Sequence, residues 1–290
     1  MGKKENLKRC ACCGHKKFRL FIESNGERIV RCEECGLLIV NPRPTQEAIK
    51  QLFEEEYIST EDRVKEDFTN YRTSALRREA KRIKRFKPEG GRLLDIGTAS
   101  GAFLLEFQDN PKWQVEGVEP SRYAAEMAAK LYNLKVHCGF LADQAFPDKH
   151  FDVVTSLDAF MFHPEPREDL KEISRILKPG GLFAVEIPGL NFRLLKNSGP
   201  LCKLIYGVPA RLNAGVHLFY YSRSTMGAMV GQFGFKEIAI FPEQSPVYGN
   251  TIVRTLNFLY YVLSGSIYKL TGGQLSIVPK EFIIYRKEKL

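Results

Sequence analysis

The 290-residue chain has no run of the roughly 18–20 apolar residues that a bilayer-spanning helix needs. Its longest candidate, Phe258 to Leu263, is short and has Arg254 and Asn257 beside it. No N-terminal stretch has the charged start, apolar middle and small-residue cleavage site of a signal peptide; the opening Gly2-Lys3-Lys4-Glu5-Asn6 is polar. These absences set the expectation of a cytoplasmic protein. Disulfides are rare in that compartment, so the seven cysteines are expected to be metal ligands or free thiols. No internal repeat or low-complexity tract is present. Acid is in short supply: 34 Asp and Glu face 43 Lys and Arg, a net charge of +9. Such a surplus can attract nucleic acid or an anionic membrane. The length is too great for one typical domain and too small for three.

A glycine turn is what the middle of the chain does have. In RLLDIGTASGAFLLEF (residues 92–107), an apolar run broken by Asp95 reads as a buried strand. Gly97-Thr98-Ala99-Ser100-Gly101 is a turn, and Ala102 to Phe107 has helical and core character. Strand, glycine turn and helix open a βαβ unit. Backbone N–H groups at such a turn suit a ligand, although many βα turns use glycine for geometry alone. A dinucleotide site wants G-x-G-x-x-G, but Ala99 stands where the second glycine belongs. There is no Walker lysine either. A small cationic ligand with an amino-acid part fits better.

The next strand, Trp113 to Val118, ends at Glu119-Pro120-Ser121. Ser121 is a candidate cap for the following helix, Arg122 to Leu131. An acid roughly 20 residues past the glycine turn, at the end of the second parallel strand, is placed to accept two ribose hydroxyls.

At this point the chain resembles the class I S-adenosylmethionine-dependent methyltransferases. The stretches LLDIGTASGAFL, VEGVEPS, FDVVTSLDAF, LKEISRILKPGGLFAVEIP and HLFYYSRSTMGAMVGQFGF carry the resemblance, in the family's order, over about residues 91–241. The resemblance implies that Asp95, Gly97 and Gly101 hold the methionine part of the cofactor and Glu119 its ribose. It implies that the loop Gly139 to Asp143, with Leu141, Ala142 and Asp143, lines the adenine. It is weak for substrate.

The N-terminus carries Cys10-Ala11-Cys12-Cys13-Gly14 and Cys32-Glu33-Glu34-Cys35-Gly36. Two C-x-x-C-G knuckles about 18 residues apart read as a zinc ribbon with ligands Cys10, Cys13, Cys32 and Cys35. Cys12 is outside the spacing. Asn25-Gly26 between two apolar runs signals the hairpin. Four sulfurs leave no open position for a catalytic water, so the metal Zn2+ is read as structural or as part of a docking element. Some bacterial and archaeal methyltransferases of this class begin with a similar ribbon, and many of those modify sugars, surface glycans or secondary metabolites.

The pattern departs from the family at the end of the fourth strand. Members often have Glu-His where this chain has Met161-Phe162, with His163 one place later. His163 is a candidate general base, its ordinary pKa suiting neutral pH, or a structural histidine beside a proline turn. His217 matches a histidine that the family often keeps before its fifth helix, and Tyr220 and Tyr221 are candidate pocket residues. Leu76, Ala80, Ile83 and Phe86 recur at helical spacing among Arg77, Arg78, Lys81, Arg82, Lys84, Arg85 and Lys87. That basic face is either solvated or phosphate-binding.

The reading is therefore an α/β protein: a Rossmann-like, seven-stranded, mostly parallel sheet with an antiparallel last strand, plus a small N-terminal zinc ribbon. The ribbon takes 1–44, a helical linker 45–90 and the methyltransferase domain 91–290, with insertions at 190–216 and 243–279. The resemblance implies an acceptor lid at the first insertion. The second, with Ile252, Leu256, Leu259, Leu263 and Ile267 at helical spacing, reads as core packing or a dimer face. Together they are also a candidate peripheral membrane contact. The expected acceptor is a small molecule, sugar or glycan, lipid-linked or free. The rivals are an RNA methyltransferase gripping phosphates with the ribbon and basic helix, and a non-catalytic S-adenosylmethionine-binding scaffold.

Overall fold

The computed structural model describes residues 3–24, 26–58, 70–208, 210–212, 217–244, 251–273 and 275–289. The N-terminal unit is built of β1 (Lys4–Glu5), β2 (Phe18–Ser24), β3 (Glu27–Cys32), β4 (Leu38–Val40) and β5 (Arg43–Pro44). Strands β2 and β3 form the expected hairpin, with Ser24 opposite Glu27 and Gly26 at φ 74°; Asn25 of the predicted turn lies outside the described residues. Helices α1 (Gln46–Ile58) and α2 (Asn70–Phe86) follow.

The chain then alternates: β6 (Gly91–Ile96), α3 (Ala102–Gln108), β7 (Trp113–Glu119), α4 (Arg122–Tyr132), β8 (Lys135–Cys138), β9 (Phe151–Leu157), α5 (Pro166–Ile176) and β10 (Leu177–Pro188). After α6 (Leu190–Asn197) and α7 (Gly199–Tyr206) come β11 (Phe219–Tyr220), α8 (Arg223–Gly231), β12 (Phe235–Glu243), α9 (Thr251–Leu270) and β13 (Lys280–Lys287). Seven strands make one sheet in the order β12-β13-β10-β9-β6-β7-β8. β13 is antiparallel to both neighbours, and the pairs from β10 through to β8 are parallel. This is the Rossmann-like sheet that the resemblance implies. β9 (FDVVTSL) is buried throughout, as a central strand covered on both faces must be.

One face of the sheet buries α2 and α3 through Leu76, Ala80, Ile83, Phe103 and Phe107. Part of the basic face of α2, and Lys87 just after it, is engaged within the chain, while Lys81 and Arg85 are exposed. Arg78 and Arg82 both pair with the buried Glu243, Arg82 lies over the Phe241 ring, Arg77 reaches Glu106, and Lys87 reaches Glu89 and Asp152. Burying Glu243 requires these cations, because an isolated buried carboxylate is costly.

The other face carries α5, α8 and the N-terminal unit. Cys10, Cys12, Val30, Leu37 and Ile39 share one apolar core with Phe160, Leu170, Phe183, Met226 and Tyr285. β11 adds to the N-terminal sheet in the order β11-β4-β3-β2, so a strand from residues 219–220 completes it. Buried Arg43 ties the two parts further: it donates to Pro164 O at 2.5 Å and pairs with Glu165 at 2.7 Å. The N-terminal unit is thus packed into the α/β body rather than hung from it.

The second insertion differs from one expectation. Of its periodic apolar residues, Leu256, Leu259 and Leu263 are exposed. α9 instead turns Tyr260, Tyr261, Ser264 and Tyr268 inward, using their hydroxyls: Tyr260 donates to Ile277 O and Tyr261 to Pro242 O.

Candidate functional site

The strand order reverses between the parallel neighbours β6 and β9, so a crevice opens at the carboxyl ends of these strands, where open α/β sheets bind ligands. The glycine turn lies there. Gly97 (φ 73°) and Gly101 (φ 79°) are both left-handed, and a Cβ at either would strike the chain itself, at Ala159 Cβ (2.6 Å) and Leu134 Cδ1 (2.4 Å). Both glycines are needed for the turn's own close packing. Ala99 is also left-handed (φ 52°), an uncommon state for a residue with a Cβ.

The bond that holds Ala99 there comes from the second strand. Glu119, 3% exposed, accepts from Ala99 N–H at 2.8 Å through Oε2 and from Ser121 N–H at 2.9 Å through Oε1. A carboxylate can accept more than these two bonds. Ser121 caps α4 as expected, accepting from Ala124 N–H at 3.3 Å. Asp95 is buried in β6 and accepts from Thr155 Oγ1 at 2.6 Å. The Thr98 hydroxyl is buried in the turn with no hydrogen-bond partner among the described residues. Leu141 to Asp143 form a 3-10 turn after β8; Leu141 is buried, Ala142 exposed, and Asp143 accepts from Phe140 N–H at 2.9 Å.

Helix α1 closes over this edge. Its Glu54 accepts from Arg122 N–H at 2.8 Å, beside Glu119, while the neighbouring Phe53 meets Phe162 edge-on at 5.8 Å. Two consecutive side chains therefore span the crevice from the β7 side to the β9 side. Reading 45–90 as a linker misses this role; Phe53 and Glu54 are visible in the helix sequence, but they alone do not say what the helix covers.

The far wall is aromatic. Phe162 stacks on His217 at 4.8 Å, and His217 lies 6.0 Å from the Tyr220 ring. Arg193, on α6, lies over Tyr220, donates to Leu212 O at 3.0 Å and approaches His217 Nε2 at 3.5 Å. Burial, and then Arg193, push the His217 imidazole down to about 3, and burial pushes the Tyr220 phenol up to about 12. His217 Nδ1 is buried with no partner among the described residues.

His163 is not brought to this wall. It lies over the Phe160 ring and pairs with Asp169 through Nδ1 at 2.7 Å. The sequence reading missed a buried charge cluster at the ends of β9, β10 and β13. Lys280 pairs with Asp158 and, at 2.8 Å, with Glu186. Only the antiparallel β13 brings a residue so distant in sequence to the carboxyl edge of the parallel strands.

At the N-terminus the thiols of Cys10, Cys13, Cys32 and Cys35 converge, all within 4.8 Å of one another. Cys10 lies 3.5 Å from Cys35 and Cys13 lies 3.6 Å from Cys32. A tetrahedral ion with bonds of about 2.3 Å separates its sulfurs by about 3.8 Å, so the donor set fits zinc. Both knuckle glycines, Gly14 and Gly36, are left-handed, as the tight turn after each pair requires. Cys12 is not one of the four: its buried thiol points at Thr225 O, and its carbonyl accepts from Arg167 and Gln232.

A family model described as a methyltransferase domain matches residues 68–240. The sterol 24-C-methyltransferase erg6 of Aspergillus fumigatus is 32% identical over 104 residues, 33% of this chain and 28% of that protein. A 2-methyl-6-phytyl-1,4-hydroquinone methyltransferase of Synechocystis is 32% identical over 102 residues, 34% of this chain and 32% of that protein. The match thus spans less than a third of the length of each of these two relatives. Among solved structures, the cyclase SpnF superposes with a TM-score of 0.58 at 17% identity, over 85% of this chain and 98% of that one. An S-adenosylmethionine-dependent methyltransferase from Mesorhizobium loti gives 0.52 at 15%, over 71% and 96%. At these identities the likeness is one of fold, and a fold hosts more than one chemistry.

Proposed function

This chain belongs to the methyltransferase-domain family, and we propose that it transfers a methyl group from S-adenosylmethionine to a small molecule bearing an apolar ring system. The observation that carries the cofactor reading is Glu119, whose carboxylate is pinned to the glycine turn by Ala99 N–H at 2.8 Å. In this reading Glu119 holds the ribose hydroxyls. Asp95 and the turn Gly97 to Gly101 hold the methionine part, and Leu141, Ala142 and Asp143 flank the adenine. S-adenosylmethionine supplies an electrophilic sulfonium methyl.

The acceptor reading rests on the wall of Phe53, Phe162 and His217. A flat apolar ring packs on such a surface at less desolvation cost than a sugar or glycan, and the two curated relatives are named for a sterol and a phytyl hydroquinone. An imidazole held near pKa 3 is a poor general base at neutral pH. His217 therefore serves as a neutral orienting group, and alignment of the acceptor supplies much of the rate. We assign His163, with Asp169, to fixing the 160–163 turn that presents Phe162. RNA binding through α2 is disfavoured by the acids already paired with that helix. Zinc on Cys10, Cys13, Cys32 and Cys35 is structural in this reading.

Titration calorimetry tests the cofactor. Glu119→Ala is expected to weaken S-adenosylmethionine binding at least about tenfold, because charge-assisted bonds to two hydroxyls are worth roughly 1.5–3 kcal/mol each. Unchanged affinity, or preferential binding of NAD, removes the reading. Turnover of S-adenosylmethionine with a hydroquinone acceptor separates an enzyme from a binding scaffold.

A further inference from the structure

Two stretches of the chain, 189–216 and 244–279, contain no aspartate or glutamate. Both contain cations: Lys196, Lys203 and Arg211 in the first, Arg254 and Lys269 in the second, all exposed. In the fold these stretches supply α6, α7 and α9, and they touch through Phe192 and Tyr260, whose rings are 5.3 Å apart.

α9 packs on the body by its tyrosine side and turns its aliphatic side outward. Leu256 is 60% and Leu263 59% exposed, and Phe258, Leu259 and Val262 are also exposed. Positions 256, 259 and 263 make one stripe at helical spacing, with 258 and 262 alongside. On the α6–α7 pair beside it, Leu204 is 84% exposed. A helix against water normally shows the opposite polarity, and an apolar patch of this kind marks a contact surface.

We propose that this face docks on an anionic lipid bilayer, with the α9 stripe seated at the headgroup boundary and the surrounding lysines and arginines against lipid phosphates. The charge pattern selects this occupant. Cations without intervening acid complement an anionic leaflet, and an apolar helix face gains by entering its acyl boundary. A second copy of the chain would set one cationic rim against another. Among the described residues no helix is long and apolar enough to cross a membrane, so α9 lies in the interface rather than through it. The same elements reach the crevice: Arg193 of α6 approaches His217. Docking therefore sets the aromatic wall beside the lipid phase. The proposal concerns the surface and does not rest on the identity of the acceptor.

Co-sedimentation of the full chain with sucrose-loaded vesicles tests it. Vesicles of equal parts phosphatidylglycerol and phosphatidylcholine are expected to bind at least about tenfold more strongly than phosphatidylcholine alone, and added salt is expected to weaken that binding. Leu259→Glu/Leu263→Glu is expected to lower binding about tenfold or more with unchanged circular dichroism and Tm, since both positions are exposed. Lys203→Glu/Lys269→Glu is expected to abolish the anionic preference. Equal binding to both vesicle types, or wild-type binding by the leucine variant, overturns the proposal. So does a dimer in light scattering that the leucine variant dissolves while vesicles are not bound; that result assigns the face to a second copy. Retention on soluble polyglutamate with no vesicle binding assigns it to an acidic protein partner instead.

Discussion

His217 couples the site to pH. Its pKa moves from 6.5 to about 3 on folding, through burial and then Arg193. Between those values the unfolded chain holds a proton that the folded chain refuses. Stability from this group is therefore full above about pH 6.5 and falls as the pH drops toward 3, by up to about 1.4 kcal/mol per unit. Urea titrations of the wild type and His217→Gln at pH 7 and pH 5 measure the difference. The variant is expected to lose less stability on acidification than the wild type; parallel losses would show that the imidazole is solvated. Ala99 and Asp158 belong to the same scale. Both are left-handed residues with side chains, at φ 52° and 55°, and both lie at the crevice. Such conformations persist where neighbours over-determine them. Here Glu119 holds Ala99 and Lys280 holds Asp158.

Among the elements, α1 has the largest consequence for its size. Phe53 and Glu54 are adjacent, yet they serve opposite walls. Phe53→Ala removes an edge-on aromatic contact worth about 0.5–1.5 kcal/mol and exposes the acceptor side. It is expected to raise the acceptor KM by about two- to tenfold while leaving S-adenosylmethionine affinity nearly unchanged. Glu54→Gln weakens the contact at the N-terminus of α4 and is expected to do the reverse. Steady-state kinetics with each substrate varied separates the two; a common effect of both variants on both substrates would mean that α1 acts only as a packing element. α1 is legible in the sequence as a helix but not as a cover. Its partners, Arg122 and Phe162, lie far along the chain, and no local pattern names them.

At the scale of the whole molecule, the ribbon and the sheet share one core. A four-cysteine site normally stabilises a small domain that lacks enough core to fold alone. Here Val30, Leu37 and Ile39 are also core residues of the larger body. Metal loss is therefore expected to be felt throughout. Cys35→Ser is expected to lose the zinc equivalent and to lower the Tm of the whole chain in one transition. Cys12→Ser is expected to keep the zinc and the single transition, because Cys12 is not among the four converging thiols and its replacement hydroxyl has Thr225 O as an acceptor. Metal analysis and calorimetry together check both. Two separate transitions in Cys35→Ser would mean that the ribbon folds on its own.

Local chemistry wrote part of this protein into its sequence. The glycine turn, the acid at the end of the second strand, the cap at Ser121 and the two cysteine knuckles are each defined by residues a few positions apart. Their backbone conformations follow from that spacing. The strands at 92–96 and 113–118 were legible for the same reason, since alternation and buried runs are read within one segment; the rest of the seven-stranded sheet was implied by the family resemblance. What only the tertiary structure decided are the contacts between segments. Glu119 reaches Ala99, Lys280 reaches Asp158 and Glu186, and Phe219–Tyr220 completes the ribbon sheet. The direction of α9 was undecided as well. Its periodicity says that one side is apolar, but a tyrosine side that can both pack and hydrogen-bond won the interior, and the leucines were left outside. Periodicity gives a helix its faces; the surface it meets determines which face is buried.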